Sequence, residues 1–422
     1  LNRRRFLAAL GAGAVATLSN RPARAFSLWP DEGWWNPCLV PPLPQALARH
    51  DLVQAAWEGL DPARFRDGHV HLIGVGDGHS GVTINPALTS LWHPIQYLQR
   101  KFYLNASCAD QPGRVDQAFL DRLRALQDDF PRGAKLMLLA FDYFYDEQGR
   151  AAPEHSSYYT PNVYAQAVAA AEPARFDWIA SVHPYREDCV EALEQAYAGG
   201  ARAVKWLPSA MGMDPGSPRC DRFYAAMARL HLPLLTHAGD EMAVHGADAQ
   251  ALGNPLKLRR ALDAGVRVIV AHCASLGRGV DLDQGTDAAR VDNFALFARL
   301  MDEPAYAGRL FGDISAVTQV NRIGPALDTL LTRTDWHPRL VHGSDYPLPA
   351  VMPLFSLRAM VERGYISESA APVLSTIRRF NPLLFDFVLK RQLRFQGQGF
   401  APVVFQEARV FQRDTPAPPG AA

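Results

Sequence analysis

Eight short apolar runs, each followed by an amphipathic stretch, constrain this chain more than any other feature. They fall at Asp67–Ile73, Lys135–Phe141, Trp178–His183, Ala201–Leu207, Leu232–His237, Val266–His272, Arg309–Ser315 and Arg339–Ser344. Runs rich in Val, Ile, Leu and Ala between helical patterns read as repeated βα units on a parallel sheet. The joints agree. Val190, Leu193 and Tyr197 recur at helical spacing, and Gly199-Gly200 stops that helix just before Ala201. Asp221 is placed to cap a helix whose Phe223, Met227 and Leu230 share a face. Leu256–Ala264 runs helically into Gly265, and Val266–Val270 follows at once. Eight such units close most naturally into a (β/α)8 TIM barrel. An open doubly wound sheet is the competing arrangement. No G-x-G-x-x-G opens a helix after the first strand, which removes that fold's usual nucleotide-binding cue.

One connection is out of proportion. About sixty residues, Gly74 to Ala134, separate the first two strands, and a stretch of that size inside a compact domain is usually functional. It opens with Gly74-Val75-Gly76-Asp77-Gly78-His79, and Leu91–Tyr103 is partly helical in pattern. In a barrel this insertion after strand 1 leaves the catalytic rim, so it is expected to form a lid or a substrate wall.

The first 25 residues read as an address. Arg3-Arg4-Arg5-Phe6-Leu7 precedes an apolar run, and Pro22-Ala23-Arg24-Ala25 offers a small-residue exit before Phe26. The R-R-x-F-L core resembles a twin-arginine export signal. The apolar run is too short and too rich in Gly and Ala to span a membrane comfortably. Three segments are therefore expected: a signal peptide (1–25), one catalytic domain (26–396) and a C-terminal tail (397–422), with a periplasmic destination. No other stretch has 18 consecutive apolar residues, so no membrane contact is expected once the leader is removed.

Charge narrows the partners. The 422 residues include 43 basic and 43 acidic ones, and no long basic run follows the leader. That argues against nucleic acid or an anionic membrane and leaves a small-molecule substrate. A homo-oligomer remains open. Five cysteines at irregular spacing, with no C-x-x-C pair, support neither a cysteine-only zinc site nor a dense disulfide framework; one or two disulfides have room.

Barrel chemistry sits at the C-terminal ends of the strands. Strand one carries Asp67-Gly68-His69-Val70-His71, whose two histidines share one face of an extended strand. Strand four carries Lys205. Strand five ends in Thr236-His237-Ala238-Gly239, strand six in Ala271-His272-Cys273, and strand eight runs into Gly343-Ser344-Asp345-Tyr346-Pro347. Three neutral imidazoles and one carboxylate suit zinc or a similar divalent ion and leave room for water.

This ordered set, from about Arg66 to Pro349, resembles the amidohydrolase superfamily, in particular its amidohydrolase-2 branch. The resemblance implies that His69, His71, His237 and Asp345 hold a divalent metal. It also implies that His272 acts beside the metal as acid/base or carbonyl polariser. Some superfamily members carbamylate a strand-four lysine to bridge two metals, which is one reading of Lys205; a plain lysine holding a substrate carboxylate is the other. A single ion is favoured over two, and zinc over other metals. Asp345 and His272 are the expected catalytic pair: Asp345 moves a proton from a metal-activated water to the leaving group, and His272 stabilises the oxyanion.

Other polar residues have plainer readings. His183, before Pro184, either lines the pocket or is structural. Alternation turns His342 away from Asp345, toward the helix layer. His79 and His93 read as solvated loop residues, Tyr143 and Tyr145 as packing, and Cys273 as core. Asn321 and Arg322, after strand seven, can bind a carboxylate, although a solvated loop is the simpler reading for them. The expected function is a metal-dependent hydrolase of an amide, lactone or ester bond in a small molecule. Its rivals are a carbon–carbon lyase (decarboxylase) or hydratase on the same residues, and a non-catalytic periplasmic ligand-binding protein. A pocket lined by Arg and Lys favours the lyase, and a neutral, aromatic one favours hydrolysis.

Overall fold

The computed structural model describes residues 30–242, 244, 249–406 and 409–412. The expected signal peptide and the last ten residues lie outside the described residues. Eight parallel core strands appear in the expected order, each shorter than its apolar run: β1 (Arg66–His71), β2 (Lys135–Leu139), β3 (Phe176–Ile179), β4 (Val204–Trp206), β5 (Leu234–His237), β6 (Val268–Ala271), β7 (Leu310–Asp313) and β8 (Leu340–Val341). They pair as a three-stranded sheet, β1-β2-β3, and a five-stranded sheet, β8-β7-β6-β5-β4. Single parallel bridges join the two sheets at both margins, Val70 to Tyr346 and Ala180 to Val204. Regular pairing stops there, so the observed architecture is two parallel sheets joined by bridges rather than one continuous ladder.

Alternation along the strands sorts the side chains. Met137, Leu139, Ile179, Ala203, Leu235, Ile269, Ala271 and Val341 form one apolar cluster, together with Val410 and Phe411 from the C-terminal segment. Residues of the opposite parity, among them Val70, Leu136, Leu138 and Trp178, pack in a second cluster with Phe119 and Leu123. That is the period of two expected where both faces of a parallel sheet are covered. His342 obeys the same rule and sits among Phe65, Phe387 and Phe405. The boundary drawn after Gln396 does not coincide with a change in packing, because Phe400, Val404 and Phe405 are buried in the main core.

The long connection after β1 is ordered by one carboxylate. Asp116 opens the helix α1 (Val115–Gln127) and is buried. It accepts backbone N–H bonds from Val75 (2.7 Å), Gly76 (3.1 Å) and Gly78 (3.1 Å), and the Ser80 hydroxyl at 2.5 Å. Asp77 answers by capping the helix at Val115 and Asp116. Gly76 sits at φ +85°, and a Cβ there would meet the Val82 carbonyl oxygen at 2.4 Å. Only glycine fits that wrap.

Further along, Pro94–Ala106 forms a second helix of the connection. The N-terminal segment is fastened to it. Cys38 and Cys108 form a disulfide, Trp35 stacks on Phe102, and Asn36 and Asn105 exchange hydrogen bonds. Nearby, the buried Arg378 guanidinium pairs with Glu32 and donates to the Pro349 carbonyl. Among the described residues, no helix is long and apolar enough to cross a membrane.

The disulfide spans a sequence separation of 70 residues, so it restricts the unfolded chain substantially. The Cys38→Ser/Cys108→Ser double variant is expected to lose about 2–4 kcal/mol of stability in denaturant unfolding. The same loss should follow reduction of the wild type. An unchanged unfolding midpoint would show that this bridge does not form.

Candidate functional site

The strand ends converge because two margins are tied by backbone hydrogen bonds. Gly68 N donates to His342 O (2.9 Å), Asp345 N to His69 O (2.8 Å) and His71 N to Tyr346 O (3.0 Å). Asp67 supports the same junction, accepting from Ser344 N at 2.8 Å and His69 N at 3.2 Å. Asp345 lies at φ +61° and His272 at φ +56°. Non-glycine residues there carry backbone strain, which persists only where surrounding bonds hold it and which clusters at functional sites.

Around Asp345 the distances are short. Its Oδ1 lies 3.0 Å from His71 Nε2 and 3.4 Å from His69 Nε2, and its Oδ2 lies 3.7 Å from His272 Nε2. His69, His71 and Asp345 form one group able to hold a metal ion, and His69, His272 and Asp313 form another. His237 joins neither group. Its ring lies 5.3 Å from that of His272, centroid to centroid, and its Nδ1 is 3.3 Å from Glu241 Oε2. Both ring nitrogens of His237 are buried without a hydrogen-bond partner among the described residues. Lys205 is fully buried and places Nζ 3.1 Å from His69 Nε2. His183 is not brought to the cavity. Its Nε2 faces the Met211 carbonyl at 3.0 Å, its Nδ1 accepts from Tyr185 N at 3.1 Å, and its ring stacks on Tyr145.

Neighbouring groups determine which nitrogen carries each proton. His69 Nδ1 lies 2.6 Å from Asp313 Oδ2, and His272 Nδ1 lies 3.1 Å from the Ser315 carbonyl. A carboxylate and a carbonyl only accept, so both Nδ1 atoms donate and both Nε2 atoms carry lone pairs. Ser315 Oγ sits between them, 3.2 Å from His69 Nδ1 and 2.8 Å from His272 Nδ1, and donates to Asp313 Oδ2 at 2.5 Å. Reading strand ends alone missed Asp313 and Ser315. They end the seventh apolar run and share a face by alternation, a signal that was present in the sequence.

Protonation follows burial. It holds His237 down to about 4 and drives His272 well below its ordinary value; His69 is lowered too, with the Lys205 charge assisting. Burial pushes the Asp345 carboxyl up, but His69, His272 and His71 outweigh it and hold it well below the usual carboxylate range. Burial also lowers Lys205, against the pull of Asp345, Asp313 and Glu241. The result is an ionised carboxylate facing imidazole lone pairs. Acceptors that converge in a buried site need a cation between them. The donor set of ring nitrogens and carboxylate oxygen therefore fits a divalent metal.

These residues line one end of a cavity of about 230 Å³. Most of its wall is apolar, including Val82, Ile84, Phe141, Leu276 and Leu354, and the connection after β1 supplies much of it. Arg100, Lys205, Glu241, Gln319, Asn321 and Arg322 interrupt that wall. Tyr143 and Tyr145 are absent from it, and His79 and His93 are exposed.

The strand ends thus carry side-chain groups able to hold a metal ion, set on parallel βα units. Residues 67–363 match the family model described as Amidohydrolase, and the chain belongs to that family. A comparison with curated proteins gives no match. Among solved structures, the chain is similar to an uncharacterised TIM-barrel protein from Bordetella bronchiseptica (14% identity, 74% of this chain and 98% of that one, TM-score 0.44). It is also similar to a 2,6-dihydroxybenzoate decarboxylase (13%, 77% and 98%, TM-score 0.38) and to a 4-oxalomesaconate hydratase from Rhodopseudomonas palustris (14%, 67% and 81%, TM-score 0.38).

His237 makes a pH prediction for metal-stripped protein. Its pKa is near 4 when folded and about 6.5 when unfolded. Between those values only the unfolded chain takes up the proton. The stabilisation is therefore complete above about pH 6.5 and lost as pH falls to about 4. Unfolding free energies across this range should show an acid limb that His237→Gln flattens by on the order of 3 kcal/mol. An unaltered limb would mean that this ring is not buried neutral.

Proposed function

We propose that this protein is a metal-dependent hydrolase that cleaves an amide, lactone or ester bond of a small molecule. The carrying observation is the ionised Asp345 carboxylate set among His69, His71 and His272 at the end of a largely apolar cavity. His69, His71, His237 and Asp345 would hold one divalent ion, with zinc suited to a set of three nitrogens and one oxygen. The bound ion supplies Lewis-acid activation of water and of the carbonyl under attack. Asp345 takes the water proton and returns it to the leaving group. His272, its Nδ1–H tied to the Ser315 carbonyl, points Nε2 at the same place and receives a hydrogen bond or proton from the reacting centre. Lys205 Nζ lies 3.1 Å from His69 Nε2; with that lone pair given to the ion, the ammonium would be turned toward the developing oxyanion.

The fold reading that goes with this is a (β/α)8 barrel, closed through Val70–Tyr346 and Ala180–Val204, with the connection after β1 as substrate wall. Export to the periplasm is part of the proposal. The Cys38–Cys108 disulfide supports it, because such bonds persist in oxidising compartments. A carbon–carbon lyase or hydratase is the second reading. Arg100, Lys205 and Arg322 in the cavity wall favour it, since such chemistry starts from anionic substrates. Strained backbone at both Asp345 and His272 speaks against a merely ligand-binding protein.

Protein purified without added metal should contain about one divalent ion per chain. Wild type should turn over at least one member of a panel of lactones, N-acyl amides and esters. Asp345→Asn should lower kcat by about 10²–10⁴. No bound metal, or a variant as active as wild type, would sink the assignment. Turnover confined to carboxylated enols would favour the second reading.

A further inference from the structure

The site has a support that lies outside 67–363, the span matched by the family model. It comes from the C-terminal helix Pro382–Gln392, whose residues from Pro382 to Lys390 are all buried. Two of those are charged. Asp386 and Lys390 are one helical turn apart and fully buried, with Lys390 Nζ 2.5 Å from Asp386 Oδ2. The same Nζ donates to the Gly343 carbonyl at 2.7 Å. Asp386 Oδ1 has no hydrogen-bond partner among the described residues, so burial of this pair is not offset by complete bonding. Buried ion pairs contribute little to stability, and apolar residues of similar volume often replace them without loss. What this pair does that an apolar pair would not is hold the Gly343 carbonyl.

That carbonyl belongs to the peptide joining Gly343 to Ser344, and the other end of the same peptide is also held. Ser344 N donates to the buried Asp67 carboxylate at 2.8 Å. An ammonium grips the oxygen and a carboxylate grips the N–H. The peptide cannot turn about its flanking bonds without breaking a charge-assisted bond at each end, and such bonds are about twice as strong as neutral ones. Space is tight as well. A Cβ at Gly343 would meet Asp313 Oδ1 and His69 Cβ, both at 2.7 Å, so only glycine lets this peptide lie directly against them. Asp345 follows Ser344 at φ +61°, a conformation that persists only where its flanks are fixed. We propose that Lys390, with Asp386 as its counter-ion, is a positioning residue for Asp345: together with Asp67 it clamps the Gly343–Ser344 peptide and so aims the Asp345 carboxylate at the imidazoles. The consequence for metal binding rests on the reading of Asp345 as a ligand, though the clamp itself does not.

Removing the clamp at nearly constant volume tests this, in the double variant Lys390→Met/Asp386→Leu. Two measurements are made on metal-stripped protein: amide hydrogen exchange read by mass spectrometry, and titration with Zn²⁺ alone. The variant should unfold at a denaturant concentration no lower than wild type does. Peptides covering 340–348 should exchange about tenfold or more faster, the effect of losing one charge-assisted bond, while peptides from β2 and β3 keep their wild-type rates. Zinc affinity should fall by about 10–100-fold. A second variant, Lys390→Gln/Asp386→Asn, keeps an uncharged donor for the Gly343 carbonyl and should regain part of that affinity. If the first variant does not fold, the second decides: its zinc affinity should lie about fivefold below wild type, and an unchanged affinity would overturn the proposal. Unaltered exchange at 340–348 or unaltered zinc affinity in the folded first variant would also overturn it. So would loosening spread over the whole domain, the mark of a pair that is merely structural. A wild type that binds no zinc would overturn the metal reading, while the exchange comparison would still decide the clamp.

Discussion

One backbone hydrogen bond, from Asp345 N to His69 O, holds together the two chain segments on which the site depends. The residues it joins are 276 apart in the chain, and local propensity has no means of bringing them together. Asp345 adopts a left-handed backbone to make this contact, at a cost of roughly 1–2 kcal/mol. Its neighbours remove the alternatives: His71 N binds the next carbonyl, and Ser344 N is held by the buried Asp67 carboxylate. The Asp345 carboxylate is therefore aimed by the main chain, and three imidazoles at the ends of β1 and β6 meet it.

Those imidazoles are in turn oriented from behind. Asp313 and Ser315 occupy the Nδ1 side of His69 and His272, so the Nε2 lone pairs face forward. Burial keeps the rings neutral. The same logic explains the unusual state of His237, buried with neither ring nitrogen hydrogen-bonded by a described residue. A polar group left in that state costs free energy unless something outside the chain completes it. The His237 ring borders the cavity, whereas the buried Asp116 and Arg378 each take several bonds from the chain itself.

Much of this was legible beforehand. Apolar runs at regular spacing located all eight core strands, because burial on both faces requires continuous Val, Ile and Leu. Strand-end residues His69, His71, His272 and Asp345 could be picked out because parallel strands gather their C-terminal ends on one side. Arg322 was less visible. Its segment is polar and follows a strand, which reads as a solvated loop, and only the packing of Leu276, Leu354 and the long connection around it makes it a buried cation. His183 shows the converse. It ends an apolar run as His237 and His272 do, yet the turn at Met211 and the Tyr145 ring enclose it.

By itself, then, the sequence determined the alternation of strands and helices, the order of the motifs and the residue types at the strand ends, since all of these are local or periodic properties. The tertiary structure decided which of those ends meet, which histidine nitrogens face forward, and which polar groups are left unmatched against the cavity. The physical reason is range. Periodicity is written within a few residues of chain, whereas a carboxylate 3.0 Å from a histidine 274 positions away is a product of strand pairing and packing.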